Sequence, residues 1–156
     1  MKEFELPEKN YAFVDGSFNP KTNVYGFGGF LIDQNGEKHI ISGCGADPTM
    51  AKMRNVAGEI LGASEAIARA FMIGMRVITI YYDYDGIANW PTGKWKCRNE
   101  NTKKYAQFVN RSIAKGLSIT FKHVKGHAGI PGNEEADLLA KSAVGIFKKK
   151  REEKCL

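Results

Sequence analysis

Four carboxylates stand near the points where apolar or periodic segments start or stop. Asp15 follows the apolar run Tyr11-Ala12-Phe13-Val14, and Asp83 follows the run from Val77 to Tyr82. Glu59 falls near the start of a stretch with helical spacing, and Asp137 falls near the start of another, after Lys125-Gly126-His127. Each has an ordinary explanation: a turn residue for Asp15, a strand-end cap for Asp83, and complements to helix dipoles for Glu59 and Asp137. Those explanations do not account for four acids meeting at one edge. Converging carboxylates repel one another and call for cations, and hard oxygen ligands suit Mg²⁺. Two such ions can activate a water and steady the leaving oxygen of a phosphodiester.

The elements that would position these acids follow from the pattern of the chain. Residues 11–14 read as a strand ending in the turn signal Asp15-Gly16-Ser17, and residues 25–33 as a second strand. Gln34-Asn35-Gly36-Glu37 carries the Asn-Gly hairpin signature, with a returning strand over 38–43. After a loop over 44–53, Val56, Ile60, Ala63, Ile67 and Phe71 fall at helical spacing, with small residues between them that suit close packing on a sheet. Residues 77–82 are continuously apolar, as expected for a strand covered on both faces. A short helical turn over 86–90, a helix over 102–115, a strand over 117–124 and a last helix from Asn133 complete the order βββαβαβα. The right-handed crossover rule then places the fourth strand parallel to a neighbour. If that neighbour is the first strand, Asp15 and Asp83 emerge at the same carboxyl edge, where open α/β sheets place their sites.

Composition and charge bound the partners. The chain has 156 residues, 43% hydrophobic and 26% charged, enough for one domain with a packed core and too ordered in composition for a disordered chain. Arg76 interrupts the most apolar stretch, so no membrane span is expected. Cys44, Cys97 and Cys155 are scattered and odd in number, which disfavours a zinc knot or a disulfide frame and fits a reducing compartment. The charged N-terminus lacks an apolar signal segment, so a cytoplasmic location is expected. Between Lys94 and Lys125 nine basic residues face Glu100 alone, a local +8 in a chain of net +6. Such a block points to a polyanion, although a solvated helix face would also carry it. Trp90 and Trp95 interleave with Lys94 and Lys96, a pattern suited to packing on sugars while pairing phosphates. An acidic hole beside a basic flank reads as a metal-dependent nuclease.

Four segments carry a family resemblance. Val14-Asp15-Gly16-Ser17, Asn55-Val56-Ala57-Gly58-Glu59, Tyr82-Asp83-Tyr84-Asp85-Gly86-Ile87, and the run from Lys125 through His127 and Asn133 to Asp137 resemble the signature segments of type 1 ribonuclease H. The last segment is the most specific, and the resemblance spans roughly residues 11–144. It implies a ribonuclease H-like fold, with a five-stranded mixed sheet of three antiparallel strands followed by two parallel ones, flanked by helices. It implies endonucleolytic hydrolysis of the RNA strand of RNA/DNA hybrids with two Mg²⁺ ions, Mn²⁺ being a possible substitute, leaving 3′-hydroxyl and 5′-phosphate ends. Residue by residue, it implies Asp15 on both ions, Glu59 and Asp83 on one, and Asp137 on the other. His127 matches a mobile-loop histidine that assists proton transfer or product departure, and Gly126, Gly129 and Gly132 suit a moving loop.

The resemblance also implies substrate contacts. Gly16, Ser17 and Asn19 are expected near the 2′-hydroxyl that distinguishes RNA in the minor groove. Asn55 is carried over as a further contact, although it stands four residues ahead of Glu59 where the family often has Asn three ahead, with Gly58 as an extra residue. Trp90, Lys94, Trp95 and Lys96 are expected to hold the duplex backbone. Asp85 is an alternative to Asp83 as ligand, and Asp83 is preferred because it directly ends the apolar strand. Asp137 stands 54 positions after Asp83, which leaves room for a short basic loop rather than a long helical protrusion.

Other signals are ordinary. Gly26-Phe27-Gly28-Gly29 lies inside a strand and is read as close backbone approach, not as a dinucleotide fingerprint. His39 and His123 lack metal-ligand spacing and read as surface or strand-pair residues. The expected organisation is an N-terminal extension over 1–10, a ribonuclease H domain over 11–147 and a charged tail over 148–156, acting as a monomer with no protein partner. Two alternatives remain at this point: a junction resolvase or transposase-like nuclease of the same fold, and a non-catalytic hybrid-binding module, which would not need all four acids.

Overall fold

A computed structural model describes residues 5–147. The expected tail over 148–156 and the first four residues of the expected extension lie outside the described residues. The elements are β1 (Tyr11–Asn19), β2 (Val24–Ile32), β3 (Lys38–Gly45), α1 (Pro48–Ala51), α2 (Asn55–Met72), β4 (Val77–Tyr82), α3 (Gly86–Asn89), α4 (Glu100–Ala114), β5 (Ser118–His123) and α5 (Pro131–Ala143).

Alternation along β1 divides the core into two layers, because successive strand side chains point to opposite faces. Ala12 and Val14 pack with Ile60, Ala63 and Ile67 of α2 and with Tyr105 and Val109 of α4. Phe13 faces the other way, joining Phe30, Tyr81 and Ala136 of α5. Its ring stacks on Tyr81 with centroids 4.7 Å apart. The sheet order is β3-β2-β1-β4-β5, antiparallel across β1, β2 and β3 and parallel from β1 through β4 to β5. This is the mixed sheet expected from the sequence.

Small residues set the helix–sheet distance. Ala57, Gly58, Gly62, Ala63, Ala66 and Ala70 are all buried on α2. A Cβ on Gly58 would fall on the Gly26 carbonyl, and one on Gly16 would fall on the α2 backbone at Asn55 and Glu59. On the opposite face, a Cβ on Gly28 would meet the backbone of α5 at Leu139 and Ala140. The glycines of β2 therefore serve close packing, and α2 lies on the sheet nearly backbone to backbone. The Asn-Gly hairpin is also present. Asp33 Oδ1 accepts from the N–H groups of Asn35 and Glu37 at 2.8 and 2.9 Å, and Gly36 adopts φ 82°. His39, read as a surface or strand-pair residue, sits 2.8 Å from Asp33 Oδ2.

Several boundaries differ from the sequence reading, each for a local reason. β1 does not stop at Asp15 but runs through Asn19, because Asp15, Gly16 and Ser17 pair with Gly28, Phe27 and Gly26 of β2. Pairing on that side overrides the turn-like composition. The loop over 44–53 contains α1, whose N-cap Asp47 accepts from the Thr49 N–H at 2.9 Å ahead of Pro48. α2 begins at Asn55 and α5 at Pro131, so Glu59 and Asp137 stand in second turns, not first ones. Dipole stabilisation fades within the first turn, which weakens the ordinary explanation for both acids. Among the described residues, no helix is long and apolar enough to cross a membrane.

Candidate active site

The register of β1 on β4 explains the meeting of the first two acids. Phe13 lies opposite Tyr81, the last pair of that ladder. Asp15 and Asp83 each come two residues later, so they stand level at the carboxyl edge of two parallel strands. The second turn of α2 crosses above them and delivers Glu59. Ligand oxygens of Asp15, Glu59 and Asp83 all lie within 4.8 Å of one another. Glu59 is 1% exposed and Asp15 7%, while Asp83 is half-buried.

Backbone groups hold the acids in place. Glu59 Oε2 accepts from the N–H groups of Asp83 and Tyr84 at 3.2 and 3.3 Å. Asp15 Oδ1 accepts from the Gly16 N–H at 2.8 Å. Gly126 presses against Asp83 from the β5–α5 loop, where a Cβ would lie 2.9 Å from Asp83 Oδ2. Burial, then the neighbouring charges of Asp83 and Asp137, push the Asp15 carboxyl up to about 8 despite the Gly16 hydrogen bond. Burial and the charges of Asp83 and Asp15 likewise raise Glu59 well above the usual carboxylate range. Asp137 approaches Asp15 closely enough for its charge to raise that carboxyl. It lies outside the tight group of three, and its Oδ2 is 3.1 Å from Lys141 Nζ.

The remaining expected residues scatter around this centre. Asp85, the alternative ligand, is exposed and stands 3.6 Å from His123 Nε2, outside the group of three. His127 is exposed at φ 58° in the loop before α5. Gly16 faces α2, and Ser17 is 8% exposed. The Asn19 amide is engaged by the fold, donating to the Val144 carbonyl at 2.9 Å and accepting from the Lys21 N–H at 3.0 Å. Asn55 is exposed at the start of α2. Trp90 and Trp95 meet edge to face at 5.9 Å, and each packs on Tyr84. With Lys94, Lys96, Arg98, Asn99 and Thr102 they line a cavity of about 490 Å³. The Asn99–Thr102 capping box fixes its far wall, and Trp95 is 39% exposed.

Three features escaped the sequence reading. His123, at the end of β5, places Nε2 2.9 Å from the Asp83 carbonyl and buttresses the strand end. A second cavity of about 480 Å³ opens on the other flank of the acids, lined in part by Phe18, Lys52 and Arg54. There the Arg54 guanidinium lies 4.8 Å over the Phe18 ring. The aromatic–cation pair is split between β1 and the α1–α2 junction, so no local pattern reveals it. Asn133, one turn ahead of Asp137, is 3% exposed, and its Oδ1 has no partner among the described residues.

Residues 7–145 match the sequence model of the RNase H family. A ribonuclease H from Maricaulis maris is 31% identical over 137 residues, covering 84% of this chain and 90% of its own length. Among solved structures, ribonuclease H1 from the archaeon Halobacterium salinarum superposes with TM-score 0.69 at 18% identity, over 86% of this chain and 96% of the other. LC11 ribonuclease H1, isolated from compost and solved in complex with an RNA/DNA hybrid, superposes with TM-score 0.66 at 15% identity, over 86% and 99%. With the mixed sheet and its edge cluster of acids, these matches place the chain in the ribonuclease H family, type 1.

Proposed function

We propose that this protein is an endonuclease that hydrolyses the RNA strand of RNA/DNA hybrids with two divalent cations, leaving 3′-hydroxyl and 5′-phosphate ends. The observation that carries the reading is the group Asp15, Glu59 and Asp83, with ligand oxygens within 4.8 Å of one another at the edge of a ribonuclease H sheet. The donor set fits a hard dication. All three donors are carboxylates, and without a cation their mutual repulsion and burial leave Asp15 holding its proton up to about 8. Mg²⁺ is the ion the donors suit best, with Mn²⁺ as a substitute. Bound there, the ions supply charge and acidity at the scissile phosphate.

The chain's own residues then divide the work. Asp15, Glu59 and Asp83 would hold one ion, and Asp137 with Asp15 would hold the other. The N–H groups of Asp83 and Tyr84 keep Glu59 aimed at the cluster. His127 stands on an exposed loop beside glycines that let it move, and it passes a proton or assists product departure. The Trp90–Trp95 cavity with Lys94 and Lys96 grips one flank of the duplex. Phe18, Lys52 and Arg54 offer cationic and aromatic surface on the other. Ser17, beside Asp15, together with the Gly16 backbone and Asn55, faces the RNA sugar. The LC11 complex supports a hybrid as the substrate class. The protein acts as a monomer in the cytoplasm.

A labelled RNA/DNA hybrid incubated with the protein, with and without Mg²⁺, tests the reading. Cleavage of the RNA strand alone, dependent on Mg²⁺, is the expected result, with the product ends read by their response to phosphatase and kinase. Cutting of duplex DNA instead, or no cutting at all, would refute it.

A further inference from the structure

The four acids are not alike in what already sits beside them. Asp137 Oδ2 lies 3.1 Å from Lys141 Nζ, one helical turn further along α5. Among the described residues, Lys141 is the one cation within 4 Å of any of the four acids. An i,i+4 pair on an exposed helix is usually a weak surface feature. Here the acid is only 18% exposed on its side chain, while the lysine is 39% exposed. Asp137 also lies near enough to Asp15 for its charge to act on that carboxyl. The ammonium therefore already occupies the one acid of the four that a second cation would share with Asp15.

We propose that Lys141 is the resident counter-ion of Asp137 and that a second divalent ion binds there only by displacing its ammonium. The inference rests on the two-ion reading above and adds an asymmetry to it. Asp15, Glu59 and Asp83 have no lysine or arginine within 4 Å among the described residues, so nothing local competes for their ion. At Asp137 the ion must break an existing pair and approach a positive charge. The two binding events are thus unequal, and Lys141 is a positioning residue that sets the weaker one. Its partly exposed stem gives the ammonium room to swing into solvent when the ion arrives.

Calorimetric titration of the substrate-free protein with Mn²⁺, supported by counting bound Mn²⁺ by electron paramagnetic resonance, tests the proposal. Lys141→Met removes the competing charge at a partly exposed position and keeps the stem. Its weaker binding event should tighten by roughly three- to tenfold, the scale of breaking one exposed pair plus a monovalent–divalent repulsion in a water-like dielectric. The stronger event should move by less than about twofold, and Lys141→Arg, which keeps the charge, should behave as wild type. A second event visible only in Lys141→Met supports the proposal equally. A weaker event that is unchanged or loosened in Lys141→Met, with the stronger one intact, overturns the proposal and leaves the nuclease reading standing. Absence of any Mn²⁺ binding in either protein overturns both.

Discussion

Glu59 Oε2 accepts the backbone N–H of Asp83 at 3.2 Å, so one acid of the cluster is hydrogen-bonded to the main chain of another. The bond joins the second turn of α2 to the chain just past the end of β4, the strand that follows that helix. It gives a nearly fully buried carboxylate two N–H donors, counting Tyr84, in place of the water it has lost. Repulsion within the cluster is therefore resisted by the same backbone that positions it. This pre-organisation places the chemistry of the site and the packing of α2 on one set of contacts.

Replacing Asp15 with Asn should abolish cleavage and raise the stability of the cation-free protein. Asp15 is raised in the folded state to about 8, so folding favours its protonated form. The stability it contributes is fully present below the unfolded carboxylate value near 4 and is lost as pH rises through about 8. The amide carries no such penalty. Thermal melts in chelator should show Asp15→Asn above wild type by several degrees, roughly 3–10 °C, at alkaline pH, with the gap closing towards pH 4. Near-wild-type cleavage by the variant would remove Asp15 from the site.

Cation binding should release protons in the same window. Below about pH 8 a dication must displace the Asp15 proton, and Glu59 is shifted in the same direction. Apparent affinity for Mn²⁺ should therefore rise with pH towards 8, by up to about tenfold per unit for each proton released. Calorimetry in two buffers of different ionisation enthalpy reads the proton count directly. Affinity flat across this range would mean that the acids are ionised before the cation arrives.

Long apolar runs and helical spacing made the element order legible, and so the sheet that brings Asp15 to Asp83. The extent of β1 was not legible, because Asp15-Gly16-Ser17 has turn composition and is held extended only by its partners on β2. The last helix starts at Pro131, two residues before the expected Asn133, although proline at a first helical position is a residue-type signal. The φ of 58° at Arg54, which caps α2, is announced by no residue type. The four acids were visible because each follows an apolar run or falls early in a periodic segment, although only Asp83 stands directly at an element boundary in the fold. The Phe18–Arg54 flank and the His123 contact with Asp83 were not, since each joins residues far apart in sequence. The Asn19 amide also ties β1 to the end of α5, a contact that local sequence does not show.

Gly58, the extra residue in the Glu59 segment, should be intolerant of any side chain. A Cβ there falls on the Gly26 carbonyl, which is backbone and cannot step aside. Gly62, one turn on, would meet the Cβ atoms of Phe27 and Val14 at 3.3 and 3.4 Å, a contact that small shifts relieve. Gly58→Ala should cost about 3 kcal/mol or more and displace Glu59, whereas Gly62→Ala should stay within about 1 kcal/mol, offset by its better helix propensity. Urea unfolding of both variants compares them, and equal effects would mean that α2 is not seated on β2 at Gly58.

His127→Ala should lower the rate of hybrid cleavage and still leave it measurable. A side chain that assists proton movement contributes about 10²–10⁴-fold, and the acid cluster is untouched in this variant. A loss near 10²-fold, set against complete loss in Asp15→Asn, would assign His127 an auxiliary role. Single-turnover rates on one labelled hybrid compare the two. Complete loss in both would move His127 into the essential set.

The basic segment makes the last prediction. Its nine positive residues cannot all meet phosphate, because Arg111 and Lys115 lie towards the far end of α4 from the aromatic cavity. Lys94 and Lys96 flank Trp95 on the loop that forms this cavity, and both are exposed. Each phosphate they neutralise releases counterions and contributes roughly −0.9 to the slope of log affinity against log salt on duplex DNA. The double variant Lys94→Ala, Lys96→Ala should weaken hybrid binding and flatten that slope by about one to two units. The rate of cleavage once bound should change little, since neither lysine approaches the acids within ion-pair distance. Affinity measured across a salt series in chelator separates binding from chemistry. A slope equal to wild type would show these lysines to be solvated, and would shift the duplex grip to Lys52 and Arg54 on the opposite flank.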